Sequence, residues 1–303
     1  MQNQQTINQL KVFAANIRLE TLKIIASIKA GHVGGCMSIA DAIAVLYGEV
    51  LNIDPKDPRK KDRDWCVLSK GHAGPVLYAA LGLKGYFPME EAYTLNHYKT
   101  NFPSHTDRTK TTGVDLTAGS LGQGISEACG AALGNRMQGI DSYVYVFVGD
   151  GEADEGEVWE AAQFAAHYKL DHLICLVDNN GRQLDGAVKD VMSHGKGIGA
   201  KFDAFGWNVI DVKDGNDIEE IRNALYEAKD HKGSPSVLIL NTIKGKGTFA
   251  EKSGEHSTHA DKAFWDELPV SKGREYMFSP SRKVPYTLPP ESSTALANDG
   301  RSI

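Results

Sequence analysis

Short uncharged runs rich in β-branched and aromatic residues alternate along this chain with stretches whose apolar positions recur every three to four residues. The runs fall at 65–68, 143–148, 173–177, 207–212 and 237–243. Their length and lack of charge predict strands buried on both faces of a parallel sheet. Between them, Val158, Ala161, Ala162, Ala165 and Tyr168 mark a helix over 155–168, and Ile221 and Leu225 mark another over 217–229. Residues 6–30 read as an amphipathic helix with Thr6 as its N-cap and Ile7, Leu10, Ala14, Ile17, Ile24, Ile25 and Ile28 on one stripe. It runs into a glycine-rich turn at 31–35. A second helix is expected to start at Ser38, with Asp41 completing a capping box and Ile39, Ile43, Leu46, Tyr47 and Val50 buried. Residues 76–96 read as helical with a break at 85–88, and 101–112 as polar and irregular. A glycine-rich stretch from Gly113 then leads into an Ala/Gly-rich helix through Ala132, whose small residues suggest close packing against a cofactor or a neighbouring subunit. Strands alternating with helices predict an α/β fold, a doubly wound, largely parallel sheet with helices on both faces. From Ser271 the periodicity ends in a Pro/Ser-rich segment. The expected division is a domain at 1–270 and a tail or linker at 271–303.

A length of 303 residues is ample for one such domain with a full core. The net charge of −6 gives no electrostatic reason to expect nucleic acid or an anionic membrane as a partner. No apolar run approaches the roughly 18 residues of a membrane span, and the first residues lack the basic and apolar regions of a signal peptide. Cys36, Cys66, Cys129 and Cys175 are widely spaced without a C-x-x-C pair, which reads as reduced core thiols in a cytoplasmic protein.

Chemistry enters at the centre of the chain. The strand ending at Val148 runs into Gly149-Asp150-Gly151, a helix follows, and the next strand ends at Asp178-Asn179-Asn180-Gly181. In a parallel sheet those two ends lie side by side, so Asp150 and Asn180 can converge on one hard cation. Two side-chain oxygens leave positions on Mg²⁺ for water and phosphate oxygens, which points to a metal-bridged diphosphate. A dinucleotide G-x-G-x-x-G fails at Asp154, and Gly245-Lys246-Gly247-Thr248 does not complete a G-x-x-x-x-G-K-[ST] loop. Gly-Asp-Gly alone is a common turn. Followed at this distance by paired asparagines, it is the pattern of thiamine-diphosphate enzymes. Five histidines fall in Gly/Ser/Thr-rich loops, His32, His72, His105, His256 and His259, where they could move protons near neutral pH. His167, His172, His194 and His231 read as solvated surface residues, and His97 is open.

These residues resemble the diphosphate-binding half of transketolase. The resemblance is carried by Gly31-His32-Val33-Gly34-Gly35, Ser69-Lys70-Gly71-His72-Ala73, Gly119-Ser120-Leu121-Gly122-Gln123-Gly124, Gly149-Asp150-Gly151, Glu155-Gly156, Ala165-Ala166-His167-Tyr168-Lys169-Leu170, Asp178-Asn179-Asn180-Gly181 and Lys244-Gly245-Lys246-Gly247, in order, over roughly residues 10–260. It implies thiamine diphosphate with Mg²⁺ (or Ca²⁺) held by Asp150, Asn180 and the main-chain carbonyl of Arg182. His72, Gly119, Ser120, Leu121, Gly151, Glu155, Asn180 and Lys244 would bind the cofactor. His32, His105 and a histidine of the 255–259 segment, His256 or His259, would handle protons on sugar oxygens. The implied reaction is transfer of a two-carbon ketol unit from a ketose phosphate to an aldose.

Departures from the family pattern are Val33 for a proline, Cys36 for a serine, Ser104 and Thr106 around His105, and Arg182 for an apolar residue. They touch the sugar pockets more than the metal site. Full-length members continue into a pyrimidine-binding domain and a third domain. The resemblance therefore implies one subunit of a split transketolase, nearly inactive alone, whose partner supplies those domains in an α2β2 assembly. The alternatives are another thiamine-diphosphate enzyme (a 1-deoxyxylulose-phosphate-synthase-like or 2-oxo-acid decarboxylating component) and a non-catalytic cofactor-binding module.

Overall fold

A computed structural model describes residues 2–248 and Glu251. At its centre lies a parallel sheet of β1 (Trp65–Leu68), β2 (Val144–Gly149), β3 (Leu173–Asn179), β4 (Asn208–Val212) and β5 (Ser236–Asn241). The strand order is β1-β2-β3-β5-β4. In chain order the helices are α1 (Gln2–Ala26), α2 (Val33–Ser38), α3 (Ala40–Val45, continued by a π-helical turn over Leu46–Val50), α4 (Gly74–Lys84), α5 (Met89–Ala92), α6 (Gln123–Met137), α7 (Gly156–His167), α8 (Val188–Val191), α9 (Ile198–Ala204) and α10 (Ile218–Asp230).

Successive side chains of a strand point to opposite faces, and here both faces are covered. Tyr145, Phe147, Ile174, Leu176, Leu238 and Leu240 pack into a core shared with α1 to α4 and α10. Their neighbours Val144, Val146, Val148, Cys175, Val177 and Val237 pack against α6, α7 and α9. Two covered faces explain why these strands carry no charge until their C-terminal ends. All four cysteines are buried and free, and burial pushes the Cys36, Cys66 and Cys129 thiols up to about 12.

The sheet, the doubly wound architecture and the break at 85–88 are as the pattern predicts. Several boundaries differ. α1 starts at Gln2, so Thr6 lies inside the helix and does not cap it. The glycine-rich turn is itself helical from Val33, and Ser38 closes α2 instead of capping a later helix. Its hydroxyl donates to Asp178 Oδ2 at 2.6 Å, while Asp41 pairs with Arg18 across α1 at 2.5 Å. Both polar groups serve long-range partners, which outweigh the local capping pattern. Tyr168 lies beyond α7 and is 43% exposed, so the α7 stripe ends at Ala165. α9 is not apparent from periodicity. Asp217 caps α10, accepting from the amides of Glu219 and Glu220. The tail at 271–303 lies outside the described residues.

In-register parallel pairing, such as Gly149 with Asp178 and Asn179 with Asn241, brings the C-terminal ends of β1, β2, β3 and β5 to one edge. In open α/β sheets that edge is where ligands bind.

Candidate active site

A cleft of about 340 Å³ opens at that edge. β1 delivers Lys70 and His72 to it, β2 delivers Asp150 and Gly151, and β3 delivers Asn180 and Arg182. His32 and Gly34 come from the start of α2, Leu121 from the loop before α6, and Lys244 from the segment after β5. Close approach depends on glycine. A Cβ on Gly34 would stand 3.0 Å from Lys244 Cγ, and one on Gly35 would stand 3.2 Å from His72 Nε2. Gly119, Ser120 and Glu155 are exposed and do not line the cleft.

Asp150 is 2% exposed, and its carboxylate accepts from the amides of Gly151 at 2.8 Å and Gly181 at 2.5 Å. Burial, then the charge of Asp178, pushes the Asp150 carboxyl up to about 7. A divalent cation beside it would offset that cost. Asn180 presents its amide oxygen to the same cleft, where it accepts from Arg182 N at 3.1 Å with a second lone pair to spare. Among the described residues no three His, Cys, Asp or Glu side chains gather into a metal cluster. One carboxylate, one amide oxygen and main-chain carbonyls form a hard-oxygen set that fits Mg²⁺ or Ca²⁺ with phosphate completing the shell. Arg182 and Lys244 on the walls fit a diphosphate.

Beneath this edge lies a fully buried ion pair. Lys70 Nζ donates to Asp178 Oδ2 at 2.5 Å and to the Gly35 carbonyl at 2.9 Å. Asp178 also accepts from Ser38 Oγ, Thr242 Oγ1 and Asn180 Nδ2. Despite burial, the Lys70 charge and these bonds hold the Asp178 carboxyl below its ordinary value. Asp178 thereby orients Asn180 and joins α2 to the ends of β1, β3 and β5.

Three of the loop histidines lie close together. The His32 ring centroid lies 5.0 Å from that of His72 and 6.2 Å from that of His105. Burial, then Lys70, His32 and His105, drives the His72 imidazole down to about 2, so it stays neutral. Burial also lowers His105. His256 and His259 lie outside the described residues.

His194 corrects the sequence reading. Expected at the surface, it is 9% exposed, and its Nε2–H donates to the carbonyl of Asp150 at 2.9 Å. Lys201 Nζ donates to Nδ1 at 3.1 Å. A carbonyl can only accept, so the contact with Asp150 places a hydrogen on Nε2. His194 sits in a segment without periodicity, and no local signal marks it. Glu152, also missed, is 3% exposed beside Asp150. A carboxylate within a buried strand-to-helix turn was the signal available.

Residues 9–297 match the family described as "Transketolase, thiamine diphosphate binding domain". The chain belongs to the transketolase family. It is 47% identical to the 6-deoxy-6-sulfo-D-fructose transketolase subunit SqwG of Clostridium sp. (strain MSTE9), over 82% of this chain and 90% of that one. It is 39% identical to an apulose-4-phosphate transketolase subunit of Actinobacillus succinogenes, over 87% of this chain and 95% of that one. A transketolase mutant from Pichia stipitis superposes with a TM-score of 0.79 at 30% identity, covering 90% of this chain and 42% of that one. The chain thus spans nearly all of the subunit-length relatives and about two fifths of that transketolase. This transketolase-family chain carries the thiamine diphosphate binding domain of a transferase.

Proposed function

We propose that this chain is the diphosphate-binding subunit of a two-chain transketolase that moves a two-carbon ketol unit from a ketose phosphate, or a similarly anionic ketose, to an aldose. The observation that carries this reading is the convergence of Asp150 and Asn180 with His32 and His72 in one cleft at the sheet edge. Thiamine diphosphate supplies, when bound, the carbon nucleophile and electron sink that the ketol carbon–carbon bond requires. Asp150, Asn180 and the Arg182 carbonyl hold Mg²⁺ (or Ca²⁺). His72, Gly151, Lys244 and the 119–121 backbone hold the diphosphate, with Glu155 at the cofactor's edge. His72 gives the diphosphate a hydrogen bond. His32 and His105 face the sugar and hold or move protons at its oxygens, with His256 or His259 completing the set.

The two subunit-length relatives favour a separate partner that contributes the pyrimidine-binding domain, with α2β2 as the assembly and residues 271–303 as a linker outside the 1–270 domain. Their names, one a sulfonated and one a phosphorylated sugar enzyme, favour a donor with an anion at its far end. Four buried free thiols suit a reducing compartment, the cytoplasm.

EDTA treatment of the assembled enzyme should abolish ketol transfer, and Mg²⁺ should restore it. Asp150→Ala should leave background activity even with Mg²⁺ and thiamine diphosphate in excess. Full activity in Asp150→Ala would contradict the site.

A further inference from the structure

Glu152 follows the Gly149-Asp150-Gly151 turn and opens a single 3₁₀ turn (Glu152–Asp154) before α7. Its side chain folds back over the strand ends. Oε1 accepts from Ser69 Oγ at 2.5 Å and from Gly122 N at 2.8 Å, and Oε2 accepts from Gly149 N at 2.9 Å. The donors sit on three separate segments. Ser69 follows β1 and precedes His72, Gly122 is the N-cap of α6 and follows Leu121, and Gly149 ends β2 and precedes Asp150.

These segments already touch where no side chain fits. A Cβ on Gly71 would stand 2.5 Å from the Ala118 carbonyl oxygen, and one on Gly124 would stand 2.6 Å from Ser69 Cα. Gly122 is the N-cap of α6 at φ +86°. In a capping box its amide would donate to the N3 side chain, but N3 here is Ile125, so Glu152 supplies the acceptor from 30 residues downstream. A carboxylate is favoured there by the dipole of a 15-residue helix. The three contacts occupy both carboxyl oxygens, two on Oε1 and one on Oε2.

We propose that Glu152 is a positioning residue, one buried carboxylate that locks the β1, α6 and β2 loops in mutual register so that His72, the 119–121 backbone and Asp150 meet the diphosphate and its metal together. The inference rests on the cofactor assignment above. Glu152 borders the cleft, but its carboxyl oxygens are taken by Ser69, Gly122 and Gly149, and it acts through them. Its negative charge close to a diphosphate gains nothing by direct contact, so its effect on binding is through geometry. Glutamine keeps one oxygen for Ser69 and Gly122 but turns an N–H toward the amide of Gly149. Alanine leaves all three donors unmet.

The test titrates thiamine diphosphate with saturating Mg²⁺ into the chain assembled with its partner subunit by calorimetry, comparing wild type, Glu152→Gln, Glu152→Ala and Asp150→Ala in this chain. The temperature is kept well below each unfolding transition. With nearly all molecules folded, lost stability alone leaves Kd unchanged, because mass action on a negligible unfolded fraction is negligible. The expected result is a Kd about tenfold weaker in Glu152→Gln and weaker still in Glu152→Ala. Amide hydrogen exchange should rise together at 69–73, 119–124 and 149–151. Should Glu152→Ala fail to fold, Glu152→Gln decides. Kd within twofold of wild type in folded Glu152→Gln, with binding lost in Asp150→Ala, would overturn the role of Glu152 alone. No binding by wild type would overturn the cofactor assignment with it.

Discussion

His72 carries a charge state that its neighbours dictate. Its ordinary value of 6.5 returns on unfolding, while in the fold burial and Lys70 hold it near 2. Below pH 6.5 the unfolded chain therefore binds more protons than the folded one, and stability falls as pH falls. From pH 6.5 to 5 this residue alone should remove ~1.5 kcal/mol from the cofactor-free chain, and His105, lowered in the same direction, adds to the loss. Asp150, raised to about 7, works the other way over the same range. The sign is therefore checked by the pH dependence of urea unfolding in wild type minus that in His72→Gln, and an imidazole NMR titration of His72 should show no protonation. The Lys70–Asp178 pair makes a second residue-level prediction. Asp178→Asn would strand a lysine that is 2% exposed, at a cost of about 3–5 kcal/mol, read by denaturant unfolding. Asp150, Asn180, His32 and His72 were legible in the sequence because glycines and strand ends frame them. His194 and Glu152 were not, because what makes them matter is a contact with backbone 44 and 30 residues away.

Elements were legible where burial is complete. β2 and β3 are uncharged up to their C-terminal ends because both faces are covered, and that pattern survives in any window of sequence. Helix starts were less so. The hydroxyl of Ser38 and the carboxylate of Asp41 look like a local cap, yet Asp178 and Arg18 claim them. The small residues of α6 suggest packing against a cofactor or a neighbouring subunit. At Gly124 the close neighbour is instead Ser69 of the same chain. Gly71→Ala would force a methyl against the rigid backbone of Ala118, so we expect a loss of about 1–3 kcal/mol together with weaker cofactor binding. Gly85→Ala makes the contrast. Gly85 sits at φ +89° with nothing within 4 Å, so the change should cost about 1 kcal/mol of stability and leave cofactor affinity unchanged. Thermal melts and calorimetry of the two variants separate the effects.

At the scale of the whole molecule, the strand order gathers the chemistry. Parallel pairing of β1, β2, β3 and β5 sends each chemistry-bearing loop to one edge, and the buried Lys70–Asp178 pair braces that edge from below. The chain matches subunit-length relatives almost end to end and longer transketolases in part, so a site shared with a partner is the expected working unit. The most direct test is a ketol-transfer assay with thiamine diphosphate and Mg²⁺, run on this chain alone, on its candidate partner alone and on the mixture, with phosphorylated and sulfonated ketoses as donors. Turnover confined to the mixture, and lost when Asp150→Ala replaces the wild-type chain, is the predicted result. Turnover by this chain alone at the rate of the mixture would contradict the two-chain assignment, and an inactive mixture that instead releases carbon dioxide from 2-oxo acids would contradict ketol transfer.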